Sequence, residues 1–188
     1  DLLYALVLKS ANDAATALAI HIAGSKKAFL SLMDRRAREL GMKSTAFNSV
    51  HGLPPEAGQD YDISTARDLA TLAQAVLKHP STLRYTAARE RPFRNHTMIL
   101  RSHNHLLDMV DGCDGLKTGY FTVAGWSVIA TAQRQGVRVI AVVLDSRSSQ
   151  TRDLKAQELL LKGLQLAQNS ASQPATPHRP KKTVTAPV

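Results

Sequence analysis

Two runs near the end of the chain leave little freedom for its fold. Trp126, Val128, Ala130 and Ala132 recur at every second position of Gly125–Ala132. Val137, Val139, Ala141 and Val143 do the same in Val137–Leu144. A period of two puts each set on one face of a strand, and Gln135-Gly136 between them is a tight-turn signal. The pair therefore reads as an antiparallel hairpin with one face buried, which needs something apolar laid over it. Arg152–Leu166 follows directly as an amphipathic helix with a basic side, which supplies that cover.

Upstream the period is helical. Leu3, Leu6 and Val7 share one side of Asp1–Lys9, and Ser10-Ala11-Asn12-Asp13 interrupts the helix with residues that compete for its hydrogen bonds. A second helix is expected over Ala14–Ala23, closed by Gly24, and a third, capped by Ser25, runs to Gly41. Met42–Tyr61 reads as a long loop, rich in Gly, Pro and Asn. Thr65 and Asp68 form a capping-box pattern for a helix that ends before Pro80. Arg89–Arg94 and Thr97–Arg101 suit a small hairpin around Asn95-His96, and Leu116–Tyr120 suits a short strand. Helices first, then an antiparallel meander, then a packing helix give an α+β domain over residues 1–168. Residues 169–188 hold four of the eight prolines and almost nothing apolar, and read as a disordered basic tail.

Composition narrows the function classes. The net charge of +9 comes from 24 Lys and Arg against 15 Asp and Glu; three of those basic residues lie in the tail, leaving +6 for the body. Such charge suits an acidic polymer or an anionic wall or membrane surface. With aromatics at 5% and no basic stretch interleaved with them, nucleic acid is not indicated. No apolar run reaches the ~20 residues that span a bilayer, and the tail has no apolar face to insert into one. The single cysteine cannot form an internal disulfide. His96, His103, His105 and Cys113 lack the spacing of a structural zinc site, so no metal or other cofactor is expected. Cys113 is read as a small packed residue, with a pKa depressed beside Lys117 as the reactive alternative. The chain opens at Asp1-Leu2-Leu3 without an initiating Met or leader pattern, and reads as a fragment or processed product that starts inside a helix.

Two short constellations carry chemistry. Ser10-Ala11-Asn12 places a hydroxyl and an amide at a helix interruption, where a serine can relay a proton and an amide can bind a substrate carbonyl. Lys117-Thr118-Gly119 sits in Asp114-Gly115-Leu116-Lys117-Thr118-Gly119-Tyr120, a cation and a hydroxyl flanked by glycines that let a ligand approach the backbone. Each is a weak signal alone; a helix cap and a surface lysine would explain them equally.

Together, and in this order, they resemble the penicillin-binding serine D-alanyl-D-alanine carboxypeptidases, the low-molecular-mass peptidase S11 family. Ser10-Ala11-Asn12 matches the family's Ser-x-Asn motif and Lys117-Thr118-Gly119 its Lys-Thr-Gly motif. Phe47-Asn48-Ser49-Val50-His51-Gly52-Leu53 resembles its Asn-x-x-Gly-Leu loop, and Ser64–Ala70 the helix that follows. Asp114–Tyr120 with Ala124-Gly125 is the most specific stretch, and the likeness spans Leu2–Leu166. The resemblance implies a β-lactamase/transpeptidase-like domain lacking its first strands and nucleophile helix. It implies a peptidoglycan D-Ala-D-Ala substrate, an acyl-enzyme route, β-lactams as covalent inhibitors of the full-length form, and an exported protein of the periplasm or cell envelope, with peripheral membrane or wall association. By resemblance Ser10, Asn12 and Lys117 are catalytic, and Lys117, Thr118, Gly119 and Arg147 hold the substrate.

Two departures stand out. The family's nucleophile lies in Ser-x-x-Lys, and no serine of this chain has a lysine three residues later. Nucleophile and base act as a unit, so this chain is expected to be inactive on its own. His103-Asn104 stands where many relatives have Arg-Asn. A D,D-endopeptidase or a non-catalytic peptidoglycan-binding relative fits the same motifs. A class A β-lactamase fits less well: Ala11 replaces its central Asp, and Glu56-Ala57-Gly58-Gln59-Asp60 is not its Glu-x-x-Leu-Asn loop.

Overall fold

The computed structural model describes residues 1–55 and 57–172. Its helical part opens with α1 (Leu2–Lys9), α2 (Asn12–Ala23) and α3 (Lys26–Glu39). α1 stops because Ser10 turns left-handed (φ 52°, ψ 40°). α2 stops at Gly24, φ 78°, whose N–H returns to the Ile20 carbonyl at 2.8 Å. Ser25 caps α3 by accepting from the Ala28 N–H at 3.1 Å.

α4 (Ala66–Leu77) starts at Thr65, whose hydroxyl accepts from the Asp68 N–H. Only half of the expected capping box forms. The buried Asp68 carboxylate turns away and accepts instead from the Ser44 N–H and the Thr45 hydroxyl, both at 2.8 Å. It thereby ties the start of the long loop to α4. Pro80–Thr82 forms a 3₁₀ turn and leads into α5 (Leu83–Thr86). A hairpin of β1 (Glu90–Phe93) and β2 (Met98–Arg101) follows, then α6 (Leu106–Met109).

The main sheet contains β3 (Cys113–Phe121), β4 (Gly125–Arg134) and β5 (Val137–Ser146), antiparallel and in that order. Its register pairs Val128 with Val143, Ala130 with Ala141 and Ala132 with Val139, so the alternating residues share one face. α7 (Ser149–Ser172) covers that face with Ala156, Leu160 and Leu164, all almost fully buried. Burying each leucine contributes about 1.5–3 kcal/mol. The opposite face meets α4 along β5 and α5 along β3. α5 comes very close: a Cβ on Gly115 would sit 2.6 Å from the Thr86 hydroxyl oxygen. A second cluster, Tyr4, Ala5, Leu8, Ala14 and Leu100, binds α1 to α2 and β2. It fixes the end of α1, where Ser10 stands.

The α+β architecture matches the expected one, with several elements longer than periodicity indicated. α2 begins at Asn12, because the backbone recovers helical geometry directly after Ala11. β3 spans nine residues; its glycines conceal strand character, and pairing with β4 supplies the ladder. α7 runs from Ser149 to Ser172, beyond the expected Leu166, and residues 173–188 of the basic tail lie outside the described residues.

Candidate active site

Ser10 and Lys117 meet although 107 positions separate them. The Lys117 ammonium donates to the Ser10 hydroxyl and, at 2.7 Å, to the Thr118 carbonyl. Geometry on both sides enforces the meeting. Left-handed Ser10 projects from the end of α1, and the alternation of β3 turns Lys117 to the face of the sheet opposite α7. Burial pushes the Lys117 pKa down to about 8, helped by the positive charge of Arg152. At pH 7 roughly a tenth of such lysines would be neutral, far more than for an exposed lysine.

Two cavities share the rim of Ser10, Thr118, Gly119 and Tyr120. The first, about 400 Å³, also takes in Asn12, His51, Leu53 and Lys117. A Cβ on Gly119 would meet no protein atom within 4 Å, so the space beside this strand is open to a ligand. The second, about 460 Å³, adds His103, His105, Trp126 and Arg152. Trp126 was expected in the hairpin core. It lies instead at the end of the sheet, half-buried and stacked on its cross-strand partner Tyr120 with ring centroids 4.0 Å apart, where Arg152 rather than a leucine of α7 stands over the row.

Arg152 is 2% exposed and makes its ion pair with Asp153, 2.7 Å away. The second oxygen of Asp153 faces the His105 imidazole at 3.0 Å. A buried guanidinium beside Thr118 is a strong receptor for a carboxylate. Sequence reasoning chose Arg147, and the structure does not bring it to either cavity: it is exposed on the β5–α7 connection. The missed signal was the stripe Arg152, Ala156, Leu160, Leu164, a charge heading an otherwise apolar i, i+4 row.

His103 stays neutral more readily than an exposed histidine, through burial and then the charges of Lys9 and Lys117. Its Nε2 lies 3.0 Å from the Lys9 ammonium, which can only donate, so the imidazole accepts there. Cys113 does not have the depressed pKa considered from sequence. Burial pushes the thiol up, and Lys117 does not act on it. Among the described residues no group of three or more His, Cys, Asp or Glu is placed to hold a metal ion.

The long loop supplies the facing wall and is stapled from within. Asp62 accepts from the N–H groups of Asn48 and Ser49 at 2.5 and 2.8 Å, and from the Ser49 hydroxyl at 2.6 Å. The Ala46–Ile63 bridge closes its base. His51, Gly52 and Leu53 are thereby held opposite β3. Asp114, next to the strand's glycine, is held by two parallel 2.7 Å bonds from Arg138, which keeps the start of β3 in place.

Residues 1–148 match the Peptidase S11 family, described as D-alanyl-D-alanine carboxypeptidase. The chain belongs to that family. It is 34% identical over 184 residues to the D-alanyl-D-alanine carboxypeptidase DacC of Escherichia coli K12, covering 97% of this chain and 44% of that protein. It is 32% identical over 164 residues to a D-alanyl-D-alanine endopeptidase of the same organism, covering 85% of this chain and 51% of that protein. Its fold superposes on the ampicillin-bound penicillin-binding protein D2 of Listeria monocytogenes with a TM-score of 0.78 and 36% identity, over 87% of this chain and 66% of that one. For penicillin-binding protein 6B of E. coli the TM-score is 0.79 at 35% identity, over 88% and 51%. The chain thus spans less than half the length of the carboxypeptidase DacC.

Proposed function

We propose that this chain carries the substrate-holding part of a serine-type D-Ala-D-Ala carboxypeptidase that trims peptidoglycan stem peptides outside the cytoplasmic membrane. The observation that carries the reading is the Lys117–Ser10 hydrogen bond at the rim shared by the two cavities. A lysine with a pKa near 8 can give or take a proton through a serine hydroxyl close to neutral pH. In the full reaction a nucleophilic serine attacks the penultimate D-Ala carbonyl, D-Ala leaves, and water hydrolyses the acyl-enzyme. Ser10 and Lys117 relay the proton of that exchange, and Asn12 orients the substrate amide. Thr118 and Arg152 hold the terminal carboxylate, and the backbone past Gly119 lines the peptide.

The chain contains no Ser-x-x-Lys, so we assign it substrate binding without acylation. Incubating the 188-residue protein with excess benzylpenicillin should leave its intact mass unchanged. A stoichiometric adduct on any serine would sink this assignment. A second reading, a non-catalytic peptidoglycan-binding protein that keeps the cleft, fits the same residues. The two separate when a polypeptide carrying Ser-x-x-Lys is added: only the enzyme reading predicts release of D-Ala. The same motifs serve a D,D-endopeptidase, which cross-linked and linear peptides would distinguish. Among the described residues no helix is long and apolar enough to cross a membrane, and the basic charge suits an anionic wall or membrane surface.

A further inference from the structure

A third cavity, about 480 Å³, extends the cleft on the side away from Arg152. It shares His51 and Leu53 with the Lys117 cavity, and its own walls include Lys26, Lys27, Asn48 and Ser49. The three spaces therefore stand in series: the Arg152 end, the Ser10–Lys117 centre, and the Lys26–Lys27 end. A peptide whose C-terminal carboxylate sits by Thr118 and Arg152 has one direction left to run. An extended chain advances ~3.3–3.6 Å per residue, so residues two or three positions before the scissile bond reach the far cavity.

What that cavity offers is two cations on a mainly apolar lining that includes Leu30, Val50, Leu53 and Pro54. Lys26 and Lys27 are exposed, and neither makes an ion pair among the described residues. Asp62, further along the same loop, is already occupied by Asn48 and Ser49. Those bonds also hold the loop that forms the wall.

We infer that the Lys26–Lys27 cavity is an upstream subsite that receives a carboxylate of an acidic peptide, one or two residues before the D-Ala-D-Ala terminus. The inference rests on the proposed D-Ala-D-Ala reading, which sets the direction of the peptide. Its consequence is specificity: stem peptides with a free upstream carboxylate bind in preference to those in which it is amidated. Both lysines are solvent-exposed, so the preference is modest, roughly fivefold at low salt, and it shrinks as ionic strength rises.

The test is isothermal titration of the 188-residue protein with γ-D-glutamyl-L-lysyl-D-alanyl-D-alanine and with its α-carboxamide at the glutamyl residue. The same pair is then titrated into a Lys26→Gln/Lys27→Gln variant, whose native circular dichroism is checked first. The expected result is a roughly fivefold preference for the acid that disappears in the variant. Binding of acid and amide with equal affinity overturns the subsite while leaving the D-Ala-D-Ala reading in place. So does a preference that survives in the variant. Failure of both peptides to bind overturns the reading and the subsite together.

Discussion

Lys117 offers the sharpest quantitative prediction, because its environment sets the sign and size of a pH effect. An unfolded lysine titrates near 10.5, and in the fold Lys117 titrates near 8. Below pH 8 both states hold the proton, and the native state carries the full cost of a buried ammonium. Between about 8 and 10.5 the unfolded chain binds more protons than the native one, so stability rises with pH. Above that window the cost is gone. A displacement of this size corresponds to about 3 kcal/mol. Lys117→Met removes the titrating group and with it this pH-dependent gain. At pH 7 the variant also escapes the burial cost, but it loses the bonds to Ser10 and to the Thr118 carbonyl, together worth a comparable amount. Its stability near neutrality should therefore lie close to that of the parent. The assay is urea denaturation of both proteins at intervals from pH 7 to 10.5. The difference in unfolding free energy should shift by about 3 kcal/mol toward the parent as pH rises. Parallel curves across that range would refute the burial argument, since every other titrating group is common to both proteins.

Other consequences are equally direct. Arg152→Gln should weaken binding of peptides with a free C-terminal carboxylate by roughly tenfold or more, whereas Arg147→Ala should leave it unchanged; calorimetric titration of both variants decides between the two arginines. Gly115→Ala pushes a methyl against Thr86, 2.6 Å from its hydroxyl oxygen and 2.9 Å from its Cβ. It should destabilise the fold by about 1–3 kcal/mol, read as a lowered urea midpoint.

The sequence was most legible where local pattern and tertiary environment agree. The alternation of Val128 to Ala132 and Val139 to Val143 gave both the hairpin and its buried face, because α7 covers the side that the period marks. Ser10, Asn12 and the Lys117–Gly119 strand were legible as a set only through their order and resemblance. No local rule says that the end of α1 faces β3; β2 and the Tyr4–Leu8 cluster impose it. Trp126 escaped because it ends its alternating row, where Arg152 replaces the apolar cover of α7, and a period of two does not show where a buried face stops. Arg152 escaped because an amphipathic helix with a basic side invites every arginine to be read as solvated. Its partner Asp153 is adjacent in sequence, and only the packing of α7 shows that the pair is buried. The Asp62 staple was invisible for the opposite reason: one carboxylate organises a loop whose composition signals only irregularity.

In the proposed function this cleft reads the free carboxylate of a D-Ala-D-Ala terminus between Ser10, Lys117, Thr118 and Arg152. Its most direct test is to follow Trp126 fluorescence, from the wall of the Arg152 cavity, while titrating Nα,Nε-diacetyl-L-lysyl-D-alanyl-D-alanine into the 188-residue protein. Trp126 is the chain's one tryptophan, so the signal belongs to the site. A saturable change at one site is expected, lost with the C-terminal carboxamide and with the L-alanyl-L-alanine isomer. Equal responses to all three peptides would contradict it.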